Sequence, residues 1–137
     1  MKGSDTMTPV VFINCKSAPF VNDIMGYLKQ YETRTRNTLG RFLGQRVLLA
    51  ETGHGDPLVK CYATIDEIVS ITSEEVWQDY LELTWIPVGS RYDWKPETRV
   101  KWLYHLSDIR PVAPFPLPRS CRRHGRVWAE YEGSVRT

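Results

Sequence analysis

The stretch Lys29-Gln30-Tyr31-Glu32-Thr33-Arg34-Thr35-Arg36 decides how this chain is read. From Tyr31 to Arg36, tyrosine and threonine alternate with charged residues, which is a strand pattern. Successive strand side chains point to opposite faces. Glu32, Arg34 and Arg36 therefore share one face, and Tyr31, Thr33 and Thr35 the other. Lys29 sits at the junction with a preceding helix, close to the charged set. Three charges on one strand face are costly to bury unless they pair. Spacing alone allows two readings. One is a solvated edge whose charges keep other strands away. The other is a cleft floor, where Lys29 and Arg34 meet phosphate or a base edge and Glu32 orients Arg34 or accepts from an amino group.

Upstream, Val10–Cys15 is a short apolar, β-branched run and reads as a buried strand. Ser17 and Pro19 then suit a helix start. Phe20, Val21, Ile24, Met25 and Leu28 recur at helical spacing, so the pattern predicts a helix over residues 18–28. Gly40 and Gly44 flank a loop or short helix around Arg41–Leu43. Arg46–Thr52 is a second buried strand, Thr52–Pro57 is turn chemistry, and Leu58–Ile71 carries one long or two short strands. Thr72 and Glu75 have capping-box spacing ahead of a second helix through Val76, Trp77, Tyr80, Leu81 and Leu83. Residues 85–100 read as loop and Lys101–Leu106 as strand. Arg110–Pro118 holds four prolines and is expected to be an extended connector rather than a central strand. Arg126–Tyr131 closes as a strand. Five or six strands with two helices, not strictly alternating, predict an α+β class with a mixed, barrelled sheet. One domain over residues 10–132 is expected, with a flexible leader at 1–9 and a flexible tail at 133–137.

The chain has 137 residues, 42% of them hydrophobic and 25% charged, which is enough to bury a core without staples. The net charge of +2 hides an uneven distribution. Lys29–Arg46 carries five bases against one acid, Asp66–Glu82 six acids and no base, and Arg91–Arg126 nine bases against three acids. Two basic segments that met in space would form a positive field for phosphates. Three cysteines, Cys15, Cys61 and Cys121, leave one unpaired and form no CxxC, so a reducing, cytoplasmic setting is expected. Cys121 and His124 have metal-like spacing but lack a second pair, and no metal or other cofactor is expected. No apolar run reaches the length of a membrane span.

Two further clusters carry candidate chemistry. In Arg91-Tyr92-Asp93-Trp94-Lys95, bounded by proline and glycine, Tyr92 and Trp94 would stack on a base while Arg91 and Lys95 steer phosphate. The bland alternative is that the aromatics pin the loop to the core. Arg119, Arg122, Arg123, His124 and Arg126 form a basic patch, either a solvated loop or a rim that contacts phosphate. Closeness to Arg34 would separate these. His54 reads as a surface turn residue and His105 as structural.

Lys29-x-x-Glu32-x-Arg34, placed after a strand and a helix, resembles the Lys-x-x-Glu-x-Arg signature of the ASCH domain family. Gly44-Gln45-Arg46-Val47, the Trp102–Leu106 strand and Gly125-Arg126-Val127-Trp128 are similar to later parts of that family's pattern. The resemblance spans roughly residues 10–132. It implies a PUA-like β-barrel with flanking helices and a cleft for RNA or nucleotides, lined by Lys29, Glu32 and Arg34. Some small bacterial members are amidohydrolases on N4-acetylated cytidine, with a similar Lys-x-x-Thr-x-Arg pattern in which Lys and Thr are catalytic and a later Glu assists. Here Glu32 stands where that Thr would be, and Thr33 faces the other way. Glu74 or Glu75 would supply a late carboxylate, but both also suit a helix first turn.

Three functions are thus expected from the sequence. The first is an RNA or nucleotide binder using Lys29, Glu32, Arg34, Arg36, Tyr92, Trp94, Lys95, Arg123 and His124. The second is a hydrolase of a modified nucleoside, with Lys29 and Glu32 as its catalytic pair. The third is a protein-interaction module using the acidic 66–82 region.

Overall fold

The computed structural model describes residues 7–137. Its elements are β1 (Met7–Asn14), α1 (Phe20–Met25), β2 (Tyr31–Arg34), a 3-10 turn (Gly40–Phe42), β3 (Arg46–Thr52), β4 (Leu58–Ile71), α2 (Glu74–Thr84), β5 (Lys101–Pro116), β6 (Arg122–His124) and β7 (Trp128–Glu132). The strands form one sheet in the order β2-β5-β4-β3-β1-β7-β6. β1 and β3 run parallel and the other neighbours antiparallel, so the sheet is mixed. It has seven strands rather than five or six. Its end strands, β2 and β6, do not pair with each other, so the expected barrel is an open sheet instead.

β1 explains the centre of the fold. Val11 and Ile13 belong to one buried cluster with Phe20, Val21 and Ile24 of α1, while Val10 and Phe12 belong to another with Leu48, Ala50 and Val59. The strand is apolar on both faces because both are covered, which is why no polar alternation shows in its sequence. A third cluster lies under α2, where Tyr31, Ile71 and Leu103 meet Trp77, Leu81 and Ile86.

Several boundaries moved from expectation for identifiable reasons. α1 stops at Met25, because Tyr27 adopts φ 61 and the backbone N–H groups of Leu28 and Lys29 turn back to the Asp23 carbonyl. α2 is capped by Ser73 rather than Thr72: the Ser73 Oγ accepts from the Val76 N–H at 3.3 Å. β1 begins at Met7, inside the expected leader. At the other end, the Arg136 carbonyl accepts from the Ala113 N–H at 2.6 Å, tying the last residues to the sheet.

The largest correction concerns the prolines. β5 continues through Pro111, Pro114 and Pro116, paired with β4 as far as Leu58 opposite Pro116. This is compatible with proline because β2 covers β5 only from Trp102 to His105. Beyond that point β5 lies at the margin of the sheet, where missing N–H donors are tolerated. Register shifts at Val59/Cys61, Tyr62/Thr64 and Ile65/Glu67 let these long strands bend. β6, absent from the sequence reading, forms a hairpin with β7 across a turn with Gly125 at φ 60.

No helix among the described residues is long and apolar enough to cross a membrane.

Candidate functional site

Lys29 is placed by the ends of both helices. α1 ends early, and the chain then runs beside the last turn of α2. There the Gln30 N–H donates to the Leu83 carbonyl at 2.8 Å, and Lys29 Nζ donates to the Thr84 carbonyl at 2.7 Å. These are carbonyls that a helix end leaves without partners. A cation there also meets the negative end of the helix dipole. The ammonium lies 4.7 Å from the centre of the Phe20 ring and 3.8 Å from Glu32 Oε1. Lys29 is only 2% exposed and Glu32 8%.

Glu32 lies between two cations. Its Oε2 accepts from Arg34 Nε at 3.0 Å, and Arg34 Nη2 donates onward to the Phe12 carbonyl at 2.7 Å. The strand alternation read from the sequence is therefore correct for Glu32 and Arg34. Burial holds the Lys29 ammonium below the usual lysine range. Glu32 and Asp23 oppose that shift and Arg34 adds to it, so at 3.8 Å the ion pair does not outweigh desolvation. Asp23 is raised by its own burial, with Lys29 opposing.

These side chains open into one recess of ≈ 130 Å³, lined by Ile13, Asn14, Phe20, Lys29, Glu32, Thr33, Arg34, Ile86 and Tyr92. At roughly 30 Å³ per water, that is room for about four waters or one flat ring. Tyr92 arrives from the 85–100 loop and packs edge-on against Phe20, with ring centres 5.8 Å apart. The loop is held by Asp93, whose carboxylate accepts from Trp77 Nε1, Gly89 N–H and Trp94 N–H, each at 2.7 Å. Burial pushes the Asp93 carboxyl up, but these three donors outweigh it and the net shift is down. Lys101 Nζ donates to the Tyr92 carbonyl and fixes the same segment.

Arg34 and Asn14 also line a second concavity of ≈ 290 Å³ with Phe12, Thr52, Gly55, Pro57, Arg123, Gly125 and Arg126. The separation between the 29–36 segment and the late basic patch is thus closed at Arg34. The other expected residues lie elsewhere. Arg36 and Lys95 line a third depression with Arg91 and Arg99. Trp94 packs on Trp77, with ring centres 6.4 Å apart, as part of the cluster under α2. His124 stacks flat on Trp128 at 4.0 Å and hydrogen-bonds Glu130. Glu74 and Glu75 are exposed in the first turn of α2 and do not line the recess.

Sequence reasoning missed Phe20, Asn14, Ile86 and Thr84. Thr84 is fully buried, donating to the Leu81 carbonyl at 2.6 Å and accepting from the Ile86 N–H at 3.2 Å. The available signal was the end of the second helix, where something must satisfy the last carbonyls. Among the described residues no three His, Cys, Asp or Glu side chains gather as a metal site would require.

The Lys29 geometry carries a pH expectation. Between its lowered folded pKa and the ordinary lysine value of about 10.4, the folded chain binds fewer protons than the unfolded one. The contribution of Lys29 to stability therefore rises with pH across that window. Lys101, likewise lowered by burial, contributes with the same sign. The thiols of Cys15, Cys61 and Cys121, raised by burial, act with the opposite sign above about pH 8.5. The lysine's part is therefore read as a difference: urea unfolding between pH 8 and 10 is expected to give Lys29→Met a less positive slope than the parent. An equal slope in both proteins would contradict the buried, charge-strained lysine.

No family model matches the sequence, and no curated protein matches it. Solved structures do. The chain is similar to an ASCH protein from Zymomonas mobilis, with TM-score 0.66 and 22% identity over 80% of this chain and 73% of that one. Two single-substitution variants of that protein, one Ser to Ala and one Tyr to Phe, give the same TM-score and identity, covering 82% and 80% of this chain and 76% of each.

Proposed function

Taking this ASCH fold as premise, we propose that the protein holds a nucleotide or an RNA residue, with a base in the recess and phosphate on the adjoining arginines. One observation carries this reading. Lys29, Glu32, Arg34 and Tyr92 line a single recess, and Arg34 also lines the concavity that contains Arg123 and Arg126.

The donor and acceptor inventory suits a base edge. Lys29 has three N–H donors and gives one to Thr84. Arg34 has five and gives one each to Glu32 and Phe12. Glu32 keeps acceptor capacity for an amino group. Tyr92 supplies an aromatic wall for stacking. The recess is small for a whole nucleotide, since pockets that enclose a small molecule run from roughly 300 Å³ upward. The sugar and phosphate would therefore lie outside it, over Arg34, Arg123 and Arg126.

The test is fluorescence anisotropy with a labelled single-stranded RNA. Lys29→Met/Arg34→Gln should weaken binding by about 100-fold, as expected from losing two charge-assisted contacts. Arg123→Gln/Arg126→Gln, at exposed positions that leave the core intact, should weaken it roughly tenfold and flatten its salt dependence. Unchanged affinity in both variants, each folded by circular dichroism, would overturn the reading.

The lowered pKa of Lys29 supports a second reading, hydrolysis of an acylated nucleoside. A neutral lysine amine can take a proton from the water that attacks an amide carbonyl. Incubation with N4-acetylcytidine and chromatography test it directly, and absence of deacetylated product after a day at high protein concentration removes it.

A further inference from the structure

We propose that the ligand is a single-stranded polynucleotide rather than a free nucleotide, and that the depression bearing Arg36, Arg91, Lys95 and Arg99 carries its backbone beyond the recess. This rests on the reading that the recess takes a base.

The depression, of ≈ 400 Å³, is lined by Thr35, Arg36, Arg91, Asp93, Lys95, Glu97, Thr98, Arg99, Val100 and Lys101. Five of these are cations and two are acids. Asp93 is already committed to three donors within the loop, and Lys101 to the Tyr92 carbonyl. The donors to Asp93 are neutral, so its charge remains and acts on Lys95 and Lys101. Lys95 Nζ also donates to the Gly89 carbonyl at 3.2 Å. Arg36, Arg91 and Arg99 are left as the excess positive charge. Arg36, Arg91 and Arg99 are exposed, and among the described residues no acid pairs with them. Unpaired like charges held around one concavity repel each other unless a polyanion lies among them.

Position supplies the second part. The recess adjoins one basic concavity through Asn14 and Arg34, which line both. The other shares no lining residue with the recess but is lined by chain neighbours of its walls. Arg36 follows Arg34 by two residues, a reach of at most about 7 Å, and Arg91 immediately precedes Tyr92 with its guanidinium 5.2 Å from that ring. A free nucleotide carries its phosphates on one side and cannot fill both concavities at once. An internal residue of a chain has a phosphodiester on each side of its base. Basic tracks interrupted by an aromatic-walled recess are the arrangement by which single strands are held. Entry of a base into so narrow a recess also requires it to be unstacked, which a single strand offers without flipping.

The experiment measures anisotropy of labelled uridine and cytidine oligomers of one, two, four and eight nucleotides on the full chain. The parent is compared with Arg36→Gln/Arg91→Gln/Arg99→Gln, with folding checked by thermal melt. Affinity of the parent is expected to rise tenfold or more from one nucleotide to eight. In the triple variant the octamer should lose about tenfold, and its log–log salt slope should fall by roughly 2, at about 0.7 per single-strand phosphate contact. Mononucleotide affinity should stay within twofold. If mononucleotide binds and longer chains bind no better, or if the triple variant keeps the parental slope, the proposal is overturned while the recess reading stands. If neither monomer nor oligomer binds, both fall. Duplex RNA or polyglutamate bound as tightly as the octamer would also overturn it, whereas equal binding of single-stranded DNA would support it.

Discussion

Replacing Trp77 with alanine is expected to destabilise the protein by about 3–5 kcal/mol, the range for deleting a large buried aromatic. Trp77 is 0% exposed, packs on Trp94, lies under the Lys101 ammonium and donates its indole N–H to Asp93. The substitution therefore opens a cavity and leaves a buried carboxylate short of one donor. Urea unfolding measures the loss. Trp77→Phe separates the two parts: it keeps most of the volume but not the hydrogen bond, and should cost about 1–3 kcal/mol. The same variant should loosen the segment that presents Tyr92, so ligand affinity should fall with it. A Trp77→Phe protein as stable as the parent would show that Asp93 does not depend on the indole.

Glu32→Ala is the second large effect. The carboxylate stands between Lys29 Nζ at 3.8 Å and Arg34 Nε at 3.0 Å. Without it, two cations share one recess with no carboxylate between them. Removing one member of a buried ion pair costs roughly 3–5 kcal/mol, and the partial exposure of Arg34 brings the expectation down to about 3 kcal/mol. Glu32→Gln, which keeps an acceptor, should recover part of the loss. Denaturant unfolding of both variants at neutral pH checks the order. If glutamine is as stable as the parent, the carboxylate's charge is not what holds the two cations.

Much of this is legible in the amino-acid sequence. The alternation over Tyr31–Arg34 correctly put Glu32 and Arg34 on one face, because strand periodicity is a local property. β3 was bounded correctly by its apolar run and the turn after it. Tyr92, a stacking candidate from its sequence neighbourhood, lines the recess. What was not legible depended on contacts distant in sequence. Trp94 looks as available as Tyr92 in the sequence, and only the position of Trp77 distinguishes them. Arg36 continues the charged alternation, yet β2 ends at Arg34 and the arginine belongs to a different depression. The proline run argues against a central strand, and while its neighbours are unknown it reads as an extended connector. A strand covered on one flank alone accepts proline, and which flank is covered is a topological fact.

That proline run has a consequence for the molecule's behaviour in concentrated solution. Three of the six residues from Pro111 to Pro116 lack an N–H, and the Ala113 N–H is already taken by the Arg136 carbonyl. An incoming chain seeking to extend the sheet there finds few donors to dock against. The longest strand among the described residues is thereby expected to be a poor template for fibres.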